Sequence, residues 1–317
     1  MPTVVITETL DAVCAEWLAA RAEVVWAKEE RGDALDGHLA RADALVVRTY
    51  TQVNEALLAK APKLKVVGRA GVGLDNIDVP ACRRRGVQVV YTPDANTQAV
   101  VEYVLGLILD DLRPRYTLQR PVEPAMFHEL RKVQVGQQLD QLTVGILGFG
   151  RIGKRLGRAL RALGVNLLVN DLLPEAELRK ATEFPFDYVG KPKLYAASDI
   201  LTIHVDGRSA NRGMIDAAAL AQFKPSCMFI NAARGMLVDN AALAAWAKSV
   251  ADKRGRAILD VHEPEPPEPT YPLFGLPNVR LLPHLASRTD MALENMSWVV
   301  RDVLAVLEGK RPRDPAP

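Results

Sequence analysis

Residues 143–160 read TVGILGFGRIGKRLGRAL: an apolar, β-branched run, then Gly148, Gly150 and Gly153 in G-x-G-x-x-G spacing, then a helical pattern. A strand that turns so tightly into a helix needs a residue without Cβ at the turn, which Gly148 supplies. Gly150 leaves the backbone open to a pyrophosphate, and Gly153 lets helix and strand close on each other. The helix start adds free N–H groups and the positive end of its dipole. The string therefore predicts a parallel α/β unit that holds a dinucleotide at the carboxyl ends of its strands.

The cofactor is read from the next strand. Asp171 ends NLLVND, 18 residues after Gly153. A carboxylate there accepts hydrogen bonds from the adenosine ribose hydroxyls and repels a 2′-phosphate, which favours NAD over NADP. No arginine stands at 172 or 173, although Arg151 and Arg179 are near enough in sequence to approach the same place. An aspartate that merely closes a strand is the plainer alternative.

Two series of strand-like runs flank this motif. The first is 3–7, 23–27, 44–49, 64–70 and 87–92; the second is 143–147, 166–170, 200–204, 227–231, 256–260 and 279–283. Near-continuous apolar strands separated by helical stretches indicate parallel sheets covered on both faces. Helices are expected near 151–163, 214–222 and 239–248. Between the series, 97–112 places Val100, Val101, Val104, Leu105 and Ile108 at helical spacing, the pattern of a long buried helix joining two domains. Residues 287–308 put Leu293, Met296, Val300, Val303, Leu304 and Leu307 on one stripe, expected to return to the first domain. The expected architecture is α/β, with two doubly wound parallel-sheet domains: a flavodoxin-like substrate domain of 1–96 and 287–317, and an inserted Rossmann NAD domain of 97–286, with a hinge and a cleft at the double crossing.

Length and charge agree with this division. A chain of 317 residues exceeds the roughly 100–200 of one ordinary domain. Forty basic against 38 acidic residues leave +2, too little for a global field that would grip nucleic acid. Cys14, Cys82 and Cys227 are spaced for neither a disulfide framework nor a metal cluster, so no metal is expected and a reducing cytoplasm is. The start of the chain lacks a basic leader before an apolar run. The longest apolar stretch, 99–109, contains Glu102 and falls short of the ~20 residues of a membrane span.

Further candidates cluster at strand ends, the rim where parallel sheets bind ligands. Arg234 (FINAARGMLVDN) offers a planar guanidinium to a carboxylate. Glu265 (LDVHEPEPPEP) and His284 (LLPHLAS) offer a carboxylate and an imidazole suited to proton exchange with an alcohol. Position alone does not select Glu265 over Glu263 or Glu268. Arg48 and Arg69, with Gly71 and Gly73, make a loop able to receive an anion, or simply a solvated charged surface. His204 ends a strand at the cofactor edge, where packing and catalysis are both open; His38, His128 and His262 have no supporting constellation.

GRAGVGLDNID, LGFGRIG, SDILTIHV, INAARGMLVD, LDVHEPEP and LLPHLAS together resemble the D-isomer-specific 2-hydroxyacid dehydrogenase family over roughly residues 44–310. That resemblance implies hydride exchange between NAD and C2 of a small D-2-hydroxy acid, with His284 as acid/base, Glu265 as its partner carboxylate and Arg234 on the substrate. It further implies that Val72 and Gly73 meet the substrate carboxylate. Gly148, Gly150, Arg151, Ile152, Gly153, Asp171, His204, Val205, Ala233, Arg234, Asp260 and His284 would line the cofactor. The strings lie nearest to members acting on 3-phosphoglycerate in serine biosynthesis, with Arg48 and Arg69 on the phosphate. Glyoxylate or hydroxypyruvate reduction is the alternative substrate reading, and an NAD-sensing, corepressor-like binding protein the alternative of another class. A homodimer is implied, through 97–112 and its neighbours. Ending at 317, the chain is expected to lack the regulatory region of longer members. It departs from the family pattern at Asp94, at Asp206–Ser209 in place of a proline-flanked run, and over 113–135, which lacks the usual tryptophan.

Overall fold

Each apolar run singled out in the sequence forms a strand. The computed structural model describes residues 1–317 apart from Glu29, Glu30, Arg31, Pro114, Tyr116 and Gln134, with the backbone alone for Asp33. Three of these fall in the unusual 113–135 stretch, so that part of it lies outside the described residues. The chain divides into two units, Met1–Asn96 with Ser287–Pro317, and Thr97–Ala286.

The first unit holds β1 (Thr3–Ile6), β2 (Glu23–Trp26), β3 (Ala44–Val47), β4 (Val66–Arg69) and β5 (Gln88–Tyr91), all parallel in the order β2-β1-β3-β4-β5. Alternate side chains go to opposite faces. Val4, Ile6, Val46, Val66 and Val90 pack with Leu18, Val299, Val300 and Val303; Val5, Leu45, Val47, Val67 and Val89 pack with Leu39, Leu58 and Cys82. Each such side chain, fully buried, contributes roughly 1.5–3 kcal/mol. Gly68 in β4 shows how closely the last helix lies: a Cβ there would stand 2.4 Å from Val303 Cγ2. The single stripe read over 287–308 is two helices, Asp290–Ser297 and Val299–Leu307. The break follows Ser297, whose hydroxyl donates back to the Leu293 carbonyl at 2.8 Å and accepts from the Asp11 amide at 2.9 Å, a diversion that bends helices.

The second unit holds β6 (Thr143–Leu147), β7 (Asn166–Asn170), β8 (Asp187–Tyr188), β9 (Ile200–Ile203), β10 (Met228–Asn231), β11 (Arg256–Leu259) and β12 (Val279–Leu281), parallel in the order β12-β11-β10-β9-β6-β7-β8. The two-residue β8 is too short to leave a pattern in the sequence. One face of the sheet buries Val144, Ile146, Val169, Met228, Ile230 and Ile258 under the helices Thr97–Leu112 and Arg151–Ala162. The other buries Leu201, Ile203, Phe229 and Leu259 with Leu243, Trp246 and Phe223. The helix expected over 214–222 is only Ala217–Leu220, bracketed by Gly213 at φ +64° and Pro225.

Candidate active site

In the second sheet β6 and β9 are neighbours, and the chain leaves them toward opposite edges. Such a switch point opens a crevice at the carboxyl ends of the strands. Gly148 leaves β6 at φ +91°, and a Cβ there would lie 2.6 Å from the His204 carbonyl oxygen and 2.8 Å from Val205 Cγ1. A Cβ on Gly153 would lie 2.3 Å from the Gly148 oxygen. Phe149, fully buried, anchors the turn between them against Phe186 at 5.2 Å and Phe184 at 6.2 Å. Gly150 differs: a Cβ would meet nothing within 4 Å, and no side chain caps the helix Arg151–Ala162 that it begins. An uncapped helix start beside open glycine backbone fits a dinucleotide pyrophosphate. Arg151 is exposed and Ile152 half-buried on that first turn.

Asp171 follows β7 and is half-buried. Its Oδ2 accepts from the Phe149 amide at 2.5 Å and its Oδ1 from the Leu173 amide at 2.8 Å, so the carboxylate ties the glycine turn to the next strand end. Lone pairs remain for ribose hydroxyls. Arg179, which sequence proximity left open as a phosphate partner, is committed elsewhere: it donates to Glu175 from Nε at 2.8 Å and Nη2 at 2.5 Å, and lies over the Phe186 ring at 4.7 Å. In the unusual 206–209 loop, Asp206 Oδ1 accepts from Arg208 Nε at 2.7 Å and Asn211 Nδ2 at 3.0 Å. Arg208 holds the Asp206 carboxyl below its ordinary range.

His284 follows β12 with φ +55°, in the left-handed region that costs an ordinary residue roughly 1–2 kcal/mol. Asp260, at the end of β11 and 1% exposed, holds it there. Its Oδ1 accepts from the Leu285 amide at 2.9 Å and from Tyr103 Oη at 3.0 Å, and its Oδ2 from the Ala286 amide at 2.8 Å. Hydrogen bonds to a charged acceptor contribute about 1.5–3 kcal/mol each, enough to offset the strain. So held, His284 places Nδ1 2.7 Å from Glu265 Oε1. A carboxylate only accepts, so Nδ1 is the donor of this pair. Geometry thus separates Glu265 from Glu263: Glu265 meets the imidazole, whereas Glu263 faces Arg212 at 3.5 Å.

Arg234 follows β10, partly buried. Asn231 brackets its loop, accepting from the Ala233 amide at 3.0 Å and donating to the Arg234 carbonyl at 2.8 Å, while Arg234 Nη1 donates to the Ala233 carbonyl at 2.7 Å. A Cβ on Gly235 would stand 2.0 Å from the His262 carbonyl, so the Arg234 loop lies directly against the backbone leading to Glu265. His204 pairs Nε2 with Thr202 Oγ1 at 3.0 Å, and burial pushes its imidazole down to about 4.

In the first unit, Arg48 follows β3 and Arg69 ends β4. Arg48 Nη1 donates to the Thr9 carbonyl at 3.1 Å; burial and the neighbouring Arg288 guanidinium lower its pKa. Arg69 Nη1 donates to the Ala70 carbonyl at 2.8 Å and folds so closely over Gly71 that a Cβ would stand 1.7 Å away. Val72 and Gly73 are half-buried in the loop that follows. Reasoning from sequence missed Glu8. Its carboxylate accepts from the amides of Arg48 at 3.0 Å, Thr49 at 2.8 Å, Tyr50 at 3.1 Å and Thr51 at 3.1 Å, so these four donors are already engaged. It also missed Tyr103 and His262; buried His262 donates from Nε2 to the Leu282 carbonyl at 2.8 Å, two residues before His284. Partners 20 to 157 positions apart leave no local signal. Among the described residues no cluster of metal-ligating side chains occurs, and no helix is long and apolar enough to cross a membrane.

The family described as D-isomer specific 2-hydroxyacid dehydrogenase, NAD binding domain, matches residues 105–286. The D-3-phosphoglycerate dehydrogenase of Mycobacterium tuberculosis is 37% identical over 313 residues, 96% of this chain and 57% of that protein. The (S)-sulfolactate dehydrogenase of Chromohalobacter salexigens is 37% identical over 261 residues, 82% of each. The crystal structure of an NADPH-dependent glyoxylate/hydroxypyruvate reductase from Sinorhizobium meliloti, in complex with NADP and malonate, superposes with TM-score 0.81 at 28% identity, covering 99% of this chain and 96% of that one. The chain spans about half the length of the curated phosphoglycerate dehydrogenases it matches.

Proposed function

This chain belongs to the D-isomer specific 2-hydroxyacid dehydrogenase family, and from that premise we propose that it oxidises, reversibly, the C2 hydroxyl of a small D-2-hydroxy acid with NAD, 3-phosphoglycerate being the preferred substrate. The observation that carries the proposal is the 2.7 Å pair of Glu265 and His284 on the strand-end rim of the second unit. Bound NAD supplies the two-electron exchange at C2. His284 Nε2 takes the hydroxyl proton in oxidation and returns it in reduction. Glu265 orients the ring and stabilises the charge it acquires, and Arg234 anchors the substrate carboxylate and polarises the C2 oxygen.

Substrate class is argued from charge. The Arg288 guanidinium stands near enough to Arg48 to lower its pKa, a pair of cations suited to an additional anionic group on the acid. The phosphoglycerate and sulfolactate dehydrogenases similar to this chain are named for acids that carry such a group. Steady-state comparison of D-3-phosphoglycerate, hydroxypyruvate, glyoxylate and D-lactate with both cofactors tests the reading. The largest kcat/KM is expected for 3-phosphoglycerate with NAD. A preference for glyoxylate or hydroxypyruvate would move the chain to the reductase alternative, and no turnover with any acid alongside tight NAD binding would end the enzymatic reading.

The protein is further proposed to form a homodimer. The helix Thr97–Leu112 spends Val100, Val101, Val104 and Ile108 on the core of its own unit. Exposed apolar side chains gather instead at Leu118, Met126, Phe127, Val133 and Val135, on and around the helix Pro124–Val133, none of whose described residues is buried. A second copy covering this surface accounts for them. Mass in solution, with Phe127→Asp as the disrupting variant, decides.

A further inference from the structure

We propose that Tyr103 is a positioning residue for His284, acting through Asp260. The inference rests on the reading of His284 as acid/base. The helix Thr97–Leu112 presents Tyr103 with its hydroxyl 3.0 Å from Asp260 Oδ1, a bond that spans 157 residues of sequence. Burial and the adjacent Asp260 carboxylate hold the phenol well above its usual range, so it keeps its proton and donates.

Asp260 is almost wholly buried and bridges three donors: Tyr103 Oη, the Leu285 amide and the Ala286 amide. Those two amides follow His284, the residue held at φ +55°, and His262 fixes the Leu282 carbonyl on the other side. The imidazole is therefore aimed by a carboxylate that holds the two amides following it, and that carboxylate is itself aimed by a phenol from a distant helix. Without the hydroxyl, Asp260 loses the bond on the Oδ1 that also serves the Leu285 amide, and gains rotational freedom. His284 then samples orientations in which Glu265 and the substrate hydroxyl are not aligned together, which lowers kcat while leaving the binding surfaces intact.

The test is Tyr103→Phe, which keeps the ring and removes the hydroxyl, measured beside His284→Ala. Amide hydrogen exchange at Leu285 and Ala286 is expected to accelerate about tenfold in the unliganded protein. With D-3-phosphoglycerate and NAD, kcat should fall about tenfold while KM and the NAD dissociation constant stay within twofold of the parent. Unchanged exchange at 285 and 286 would overturn the clamp, and accelerated exchange with unchanged kcat would overturn its role in positioning. Should Tyr103→Phe lower thermal stability steeply, Tyr103→Gln, which retains a donor of different reach, must recover part of kcat, or the effect is structural and the proposal fails. Turnover surviving in His284→Ala would instead defeat the acid/base reading and take the functional half of this proposal with it; the exchange data would still report on the clamp.

Discussion

Glu265 Oε1 and His284 Nδ1 lie 2.7 Å apart although 19 residues separate them, and the pair leaves the second ring nitrogen outside this contact. For the proton exchange proposed above, one ring nitrogen held by a carboxylate and the other facing away from it is the useful division of labour.

His284→Ala is expected to lower kcat by about 10²- to 10⁴-fold with NAD binding within a few fold of the parent, the usual contribution of general acid/base catalysis. Titration calorimetry of NAD beside steady-state turnover separates the two effects; a loss of only a few fold would remove His284 from the proton path.

The glycine turn makes a paired prediction. Gly153→Ala forces a methyl to within 2.3 Å of the Gly148 carbonyl oxygen, so it should destabilise the protein by about 3 kcal/mol or more, read as a drop in Tm. Gly150→Ala meets no protein atom within 4 Å and should leave Tm nearly unchanged while weakening NAD binding, because its methyl stands where a pyrophosphate approaches. Equal NAD affinity in Gly150→Ala and parent would contradict the placement of the cofactor.

Asp171→Ala should weaken NAD by about tenfold and reduce the preference over NADP, since it removes the acceptor for the ribose hydroxyls and the negative charge that opposes a 2′-phosphate. Dissociation constants for both nucleotides measure it. A preference unaltered by the change would place discrimination elsewhere, with Arg151 the next residue to test.

Burial holds His204 at about 4 in the folded protein, against about 6.5 for a free imidazole. Between those values the unfolded chain binds a proton that the folded one refuses. The contribution of this group to stability is therefore complete above about pH 6.5 and declines as the pH falls toward 4. Melting curves from pH 7 to pH 4.5 should show a shallower acid decline for His204→Asn than for the parent; parallel declines would refute the assignment.

Arg48→Ala and Arg288→Ala should each raise KM for 3-phosphoglycerate more than for D-lactate, which lacks the second anionic group. Equal losses on both acids would assign the two guanidiniums to the protein rather than to the substrate.

What the sequence revealed follows from the range of the forces involved. Strands such as 143–147 and 166–170 appear at the bounds read from their composition, because a strand buried on both faces must be apolar along its whole length. The helix Thr97–Leu112 likewise has the limits its spacing predicted. Gly148, Gly150 and Gly153 were legible because their requirement is local and steric. By contrast, nothing near Glu8 in the sequence announces that its carboxylate closes over the amides of 48–51, 40 to 43 residues away. Nothing near Tyr103 points to Asp260 either. Position in the loop did not separate Glu263, Glu265 and Glu268, and only the family resemblance selected Glu265; the contact itself depends on the left-handed turn at His284, held by a partner from another strand. Where one helix was expected over 287–308, the stripe was read correctly but the interruption was not, because it depends on a hydrogen bond from Asp11.

The intimate fit of Val303 against Gly68 also sets an order of events on the ribosome. Residues 97–286 form an uninterrupted stretch and can complete their sheet as soon as they emerge. The earlier sheet, although β1 to β5 are synthesised first, has one apolar face only partly covered until Val299, Val300 and Val303 arrive after the whole of 97–286. A chain interrupted before residue 299 would leave that face to find another partner, so truncations shortly before 299 should aggregate although β1 to β12 are present.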